Sequence, residues 1–235
     1  QAQRRLAEIS EMIHTASLFH DDVIDGSDTR RNHPTVHVVF GNKMAILAGD
    51  YLLARASISL ARLRHLHVVE TMSTIIEHLV RGEVMQIRNT SSSSSPSPSS
   101  TTTPTTPTTD SNAAATTTTT SLKEEEQQSQ SQQQRQRQNK ERLIYYLKKN
   151  YYKTGSLMAN SCKSAALLAD CPPKLVEQAY QYGKHVGMAF QLVDDILDIQ
   201  GNDSLMGKPT NADLQAGLST APILFAAEEY PELEV

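Results

Sequence analysis

His20-Asp21-Asp22-Val23-Ile24-Asp25 and, far downstream, Val193-Asp194-Asp195-Ile196-Leu197-Asp198 are the two stretches on which the reading of this chain turns. Both contain the pattern DDxxD in surroundings that are otherwise apolar and helix-like. Offsets of three and four residues place Asp22 and Asp21 beside Asp25 on one side of a helix. Three carboxylates that close together are costly on a buried face unless a positive group meets them. A solvated acidic face explains one such pentad. It does not explain two, each flanked by large apolar residues: Leu18, Phe19, Val23 and Ile24 around the first, Phe190, Leu192, Val193, Ile196, Leu197 and Ile199 around the second. Two facing pentads would form a cage of hard oxygen donors suited to Mg²⁺. Because Mg²⁺ keeps waters and shares substrate phosphates, the cage implies a diphosphate between the helices.

Outward from the pentads the pattern stays helical. Leu6, Ile9, Ile13 and Ala16 recur at helical spacing before the first pentad. Met44–Leu63, Val68–Ile87, Leu143–Ala169, Lys174–Gln200 and Ser219–Glu229 read as further helices. Gly26-Ser27 through His33-Pro34 reads as a loop, Asp170-Cys171-Pro172-Pro173 as a break and Gly201–Gly217 as a polar loop. No strand-like alternation of useful length is found, so the expected fold is an all-α bundle with the pentads on two facing helices.

Composition shifts abruptly in the middle. Ser91–Ser121 holds no hydrophobe larger than Ala and a single charge, Asp110. Such a stretch cannot bury enough to offset its ordering entropy, and disorder is expected. Lys123–Arg142 is Glu- and Gln-rich and reads as a frayed, solvated helix. The chain therefore divides into 1–90 and 141–235, two parts of one bundle, around a 91–140 insert.

The 235 residues carry a net charge of −4. No basic stripe points to nucleic acid. Cys162 and Cys171 are the only cysteines, which argues against a disulfide framework and for a reducing compartment. No stretch approaches the roughly 18 apolar residues expected of a membrane span. Positive groups lie where an anion would need them: Arg30-Arg31 after the first pentad, Lys153-Thr154 between the pentads and Lys208 beyond the second. Arg forks grip phosphate oxygens in pairs, and Lys adds a point charge.

These motifs, taken in order, carry a resemblance. His20–Asp25 followed by Asp28-Thr29-Arg30-Arg31 resembles the first aspartate-rich motif of the trans-type polyprenyl diphosphate synthases. Gly187–Asp198 followed by Gly207-Lys208-Pro209 resembles their second, with Gly82-Glu83-Val84-Met85-Gln86 and Tyr152-Lys153-Thr154 matching motifs between them. The likeness is strongest to long-chain, hexa- to decaprenyl synthases of fungal mitochondria that make the ubiquinone side chain.

The resemblance implies an isoprenoid-synthase-type bundle that condenses isopentenyl diphosphate with an allylic diphosphate. It implies about three Mg²⁺ ions with bound diphosphate, held by Asp21, Asp25 and Asp194 with Asp22, Asp195 and Asp198 alongside. Arg30, Lys153 and Lys208 would stabilise the departing diphosphate. Gln191 and Thr154 would contact the allylic substrate or its metal shell, and Arg31 and His14 the isopentenyl diphosphate. Ala16 and Ser17, five and four residues before Asp21, would leave a tunnel open for a long product. A homodimer or hetero-oligomer, mitochondrial location and peripheral membrane association through the product are expected on the same basis. The family's N-terminal Gly-Gly-Lys…Arg motif and the helices beyond Val235 are not in this sequence, which implies a fragment with an incomplete second-substrate site. A non-catalytic partner subunit is the alternative. A class I terpene cyclase, the third reading, is disfavoured by the all-Asp second pentad.

Overall fold

The computed structural model describes residues 1–92, 117–200, 214 and 217–230. The helices are α1 (Ala2–Ile24), α2 (Val36–Phe40), α3 (Asn42–Ala61), α4 (Leu66–Ser92), α5 (Thr117–Asn150), α6 (Ser156–Leu167), α7 (Pro173–Gln200) and α8 (Ala221–Glu229). Two short strands, β1 (Thr29–Arg30) and β2 (His33–Pro34), pair antiparallel between α1 and α2. A π turn, Tyr151–Gly155, joins α5 to α6.

The core forms where the apolar stripe of α1 meets α3 and α4. Leu6, Ile9 and Ile13 enclose Ala56, Leu60, Val68, Met72 and Ile75, and Leu157 of α6 packs against them. Full burial of each large aliphatic contributes roughly 1.5–3 kcal/mol, so this face fixes α1 and with it the first pentad. A smaller cluster of Tyr146, Ala221 and Leu224 docks α8 against α5.

Helix α7 reaches α6 by a different device. A Cβ added at Gly183 would stand 2.5 Å from the Met158 carbonyl oxygen, and one at Gly187 2.8 Å from Gly155 Cα. Glycines one turn apart thus let two backbones touch, which fixes the height of the second pentad on α7.

The structure departs from the sequence reading in several places. The expected loop after the first pentad holds the β1–β2 hairpin. Its central residues Arg31 and Asn32 have φ of 52° and 62°, the left-handed pair that a tight two-residue turn demands and that usually attracts Asn-Gly. The continuous helix expected over Leu143–Ala169 is split by the π turn. Helical structure also enters the expected disordered stretch at both ends, at Ser91–Ser92 and from Thr117, because adding a residue to an existing helix avoids the cost of nucleation. The rest of that stretch, the loop with Lys208 and its neighbours Gly207 and Pro209 lie outside the described residues.

Against the expectation that no stretch approaches membrane-span length, helix α3 is long and apolar enough to cross a membrane by length and composition, and only 22% of its apolar window is buried. It packs along α1 and leaves Met44, Leu47, Tyr51 and Ile58 exposed.

Loop-closure entropy varies slowly with length, so halving the 93–116 segment should change stability by no more than about 0.6 kcal/mol. Urea denaturation of the shortened chain checks this. A loss several times larger would mean that the segment packs on the bundle.

Candidate diphosphate and metal site

Each pentad has one buried carboxylate, the second. Asp22 is 4% exposed and Asp195 3%, and both are fully engaged. Arg30 Nε donates to Asp22 Oδ1 at 3.0 Å and Oδ2 at 3.2 Å, and its Nη2 reaches Oδ1 at 2.7 Å. The hairpin turns Arg30 back onto the helix it follows. Asp195 receives the Gln191 amide on Oδ1 at 2.9 Å and the Tyr146 hydroxyl on Oδ2. Burial and the neighbouring Asp195 push the Tyr146 phenol well above its ordinary range, so it remains a donor. The sequence reading gave Asp22 and Asp195 to metal and Arg30 to diphosphate. The structure brings Arg30 to Asp22 and closes both second carboxylates within the protein.

The other four acidic groups lie nearer the surface: Asp21 and Asp198 are partly buried, Asp25 and Asp194 exposed. Asp21 stands beside Glu83 of α4, Lys153 and Asp25. Burial, then the Glu83 charge, raises its pKa from 3.8 to about 7. Lys153 pairs with Glu83 and donates from Nζ to Gln86 Oε1 at 3.0 Å. A Cβ at Gly82 would stand 2.6 Å from Lys153 Cγ and 3.1 Å from its backbone nitrogen, so glycine here permits the close approach of Lys153.

The next residue serves the other pentad. Thr154 Oγ1 donates to Gln191 Oε1 at 3.0 Å, and Gln191 in turn donates to Asp195. One π turn therefore links the two pentads, Lys153 facing the first and Thr154 the helix of the second. Widened turns of this kind recur at functional sites.

Among the described residues no three carboxylate, imidazole or thiol groups converge tightly enough to hold a cation unaided. Like charges repel, and a cation here would complete its shell with water and phosphate oxygens, as Mg²⁺ commonly does. The donor set fits such an ion: hard oxygens, with two carboxyls pressed together at Asp21 and Glu83.

His14 lies two turns before Asp21, half-exposed and 3.9 Å from Glu11. Both line a largely apolar cleft of about 470 Å³ between α1, α6 and α7, with Leu6, Met158, Gly183 and Val186. Ala16 is fully enclosed. Ser17 is partly buried and donates to the His14 carbonyl at 2.8 Å. Neither lines that cleft. Arg31 is exposed at the tip of the hairpin.

Sequence reasoning gave no role to Glu83, Gln86 or Tyr146. Glu83 and Gln86 lay within the quoted Gly82–Gln86 motif, three residues apart and so on one helix face. Tyr146 carried no signal.

The chain matches the polyprenyl synthetase family over residues 1–103 and 106–234. It is 48% identical to a probable mitochondrial hexaprenyl pyrophosphate synthase of Yarrowia lipolytica, over 98% of this chain and 42% of that one. It is 44% identical to the mitochondrial hexaprenyl pyrophosphate synthase of Saccharomyces cerevisiae, over 98% and 48%. A polyprenyl synthase from Caulobacter crescentus, solved with calcium and isoprenyl diphosphate, superposes with a TM-score of 0.71 at 28% identity, over 97% of this chain and 56% of that one. The chain spans about half the length of the curated relatives it matches. With the family match running across the chain, and the ordered motifs gathered around one π turn, this chain belongs to the polyprenyl synthetase family.

Proposed function

We propose that this chain carries the diphosphate-ionising half of an enzyme that adds isopentenyl diphosphate to an allylic diphosphate, building a long all-trans polyprenyl chain for ubiquinone. The observation that carries this reading is the Lys153-Thr154 turn, which ties a cation to one carboxylate pentad and a hydroxyl to the helix of the other. A diphosphate is the polyanionic, metal-binding group that such an arrangement suits.

Asp21, Asp25, Asp194 and Asp198 are the ligands we assign to Mg²⁺. Asp22 and Asp195 organise the site, one by anchoring the hairpin through Arg30, the other by orienting Gln191 and receiving Tyr146. Bound Mg²⁺ would neutralise the diphosphate and so favour its departure. Lys153 holds a positive charge beside the leaving oxygens, and Thr154 and Gln191 fix the approach of the substrate. Arg31, at the hairpin tip, and Lys208 are assigned to phosphate oxygens, and His14 to the isopentenyl diphosphate. With the bond to the allylic carbon broken, the double bond of isopentenyl diphosphate attacks that carbon and a proton leaves toward the released diphosphate. The apolar cleft between α1, α6 and α7 suits the hydrocarbon part of an isoprenoid. Chain length we assign to Ser17, one turn before Asp21, and to Ala16 behind it.

The fungal relatives are named as mitochondrial, and we assign this chain the same compartment. The exposed stripe of α3 supports an oligomer, homodimeric or mixed.

Mg²⁺ and inorganic diphosphate together should raise the melting temperature, while either alone should do so far less. Binding to the folded state alone is worth about 2.7 kcal/mol at roughly a hundred times Kd. Differential scanning fluorimetry with millimolar metal checks this. An unmoved transition with both present would sink the diphosphate reading.

A further inference from the structure

The π turn has to be held in register for its two side chains to reach different helices, and one residue of α4 touches it at both ends. His78 Nδ1 lies 2.7 Å from the Ser156 hydroxyl, just after the turn. Its ring also stacks on Tyr152 at 4.6 Å between centroids and meets Tyr151 edge-on at 5.7 Å, where the turn begins. Ser156 is fully enclosed. Its oxygen and its carbonyl each accept from the Asn160 amide at 3.0 Å. Either atom can donate across the His78–Ser156 contact, according to the imidazole tautomer. Burial lowers the pKa of His78, which favours the neutral ring. On the far side of the turn, the Tyr151 hydroxyl meets that of Tyr180 on α7 at 2.7 Å.

We propose that His78 is a positioning residue that fixes the π turn at both ends and so sets the aim of Lys153 toward the first pentad and of Thr154 toward the second. The inference rests on the diphosphate reading for its consequence, though not for its geometry. His78 touches neither Lys153 nor Thr154 through any contact described above. Its effect is transmitted by the backbone between Tyr152 and Ser156, where loss of the hydroxyl's hydrogen-bond partner lets the turn relax toward an ordinary helix. In that relaxed form Lys153 withdraws from Glu83 and Gln86.

The test compares His78→Leu, which removes the hydrogen-bond partner, with His78→Asn, whose amide can stand near the Nδ1 position and either accept or donate. Affinity for inorganic diphosphate with Mg²⁺ is read by titration calorimetry, and exposure of Lys153 by its rate of acylation, mapped by mass spectrometry. H78L should weaken diphosphate binding about tenfold, the scale of one hydrogen bond left unmade in a buried site, and should speed Lys153 acylation. H78N should recover most of both. In a Lys153→Met background, H78L should cause little further loss of affinity, which general loosening of the fold would not reproduce. If H78L lowers the melting temperature yet leaves affinity and acylation as in the parent, His78 is packing only and the proposal is overturned. If the parent binds no diphosphate but H78L still speeds acylation, the diphosphate reading falls while the hold of His78 over Lys153 stands.

Discussion

Replacing Asp21 or Asp194 with alanine is expected to lower turnover about 10³-fold, the upper range for deleting one group that stabilises developing transition-state charge, while leaving helix content unchanged. The assay is single-turnover condensation with a labelled allylic diphosphate, in a chain extended to the length of its relatives. Asp21 is informative because the fold does not depend on it. Glu83 and Lys153 keep their ion pair without it, and its raised pKa shows that its charge is disfavoured by burial and by Glu83. The sign follows directly. A carboxyl whose pKa is raised in the folded state favours folding when protonated, and that contribution is lost as pH rises from about 4 through about 7. At pH 8, without metal, Asp21→Ala should therefore be no less stable than the parent, though nearly inactive. Asp22→Ala makes the contrast, because it strands Arg30 and frees the hairpin, so its loss of activity should come with a loss of stability. Wild-type turnover in Asp21→Ala would show that the first pentad does not handle diphosphate at all.

That contrast within one pentad was not visible in the sequence. Spacing alone places Asp21, Asp22 and Asp25 on one side of a helix, but it cannot say which of them turns inward. The choice is made by Arg30, eight residues on, and Arg30 reaches Asp22 only because Arg31 and Asn32 both take left-handed backbone angles. Asn32 is a residue type that tolerates that region, but Arg31 does not announce it, as Asn-Gly would. The helices were legible because their apolar stripes repeat at 3.6 residues, as in Leu6, Ile9 and Ile13. The π turn was not, since one extra residue in a turn leaves the flanking pattern nearly unchanged. Its consequence is nonetheless large: it lets consecutive residues serve different helices. Glu83 was overlooked for a related reason. An acidic residue on a long amphipathic helix reads as solvated until the fold puts Asp21 and Lys153 against it.

Gly187→Val should destabilise the chain by about 3 kcal/mol, the upper end of what overpacking usually costs, and should weaken Mg²⁺-diphosphate binding with it. The clash would be with backbone. A Cβ at Gly187 stands 2.8 Å from Gly155 Cα, and no rotamer change can relieve that contact. Helix α7 must therefore move away from the π turn. Gln191 lies one turn further along the same face, so the shift separates it from Thr154 and loosens Asp195, its other partner. Gly183→Val should behave alike, because its Cβ meets the Met158 carbonyl. Gly26→Ala is the control. Nothing lies within 4 Å of an added Cβ there, so only its left-handed φ of 63° opposes the change, at a cost of about 1 kcal/mol. Urea denaturation separates the three. A Gly187→Val chain as stable as the parent would mean that α6 and α7 are not seated backbone to backbone, and the link between the pentads would then lose its support.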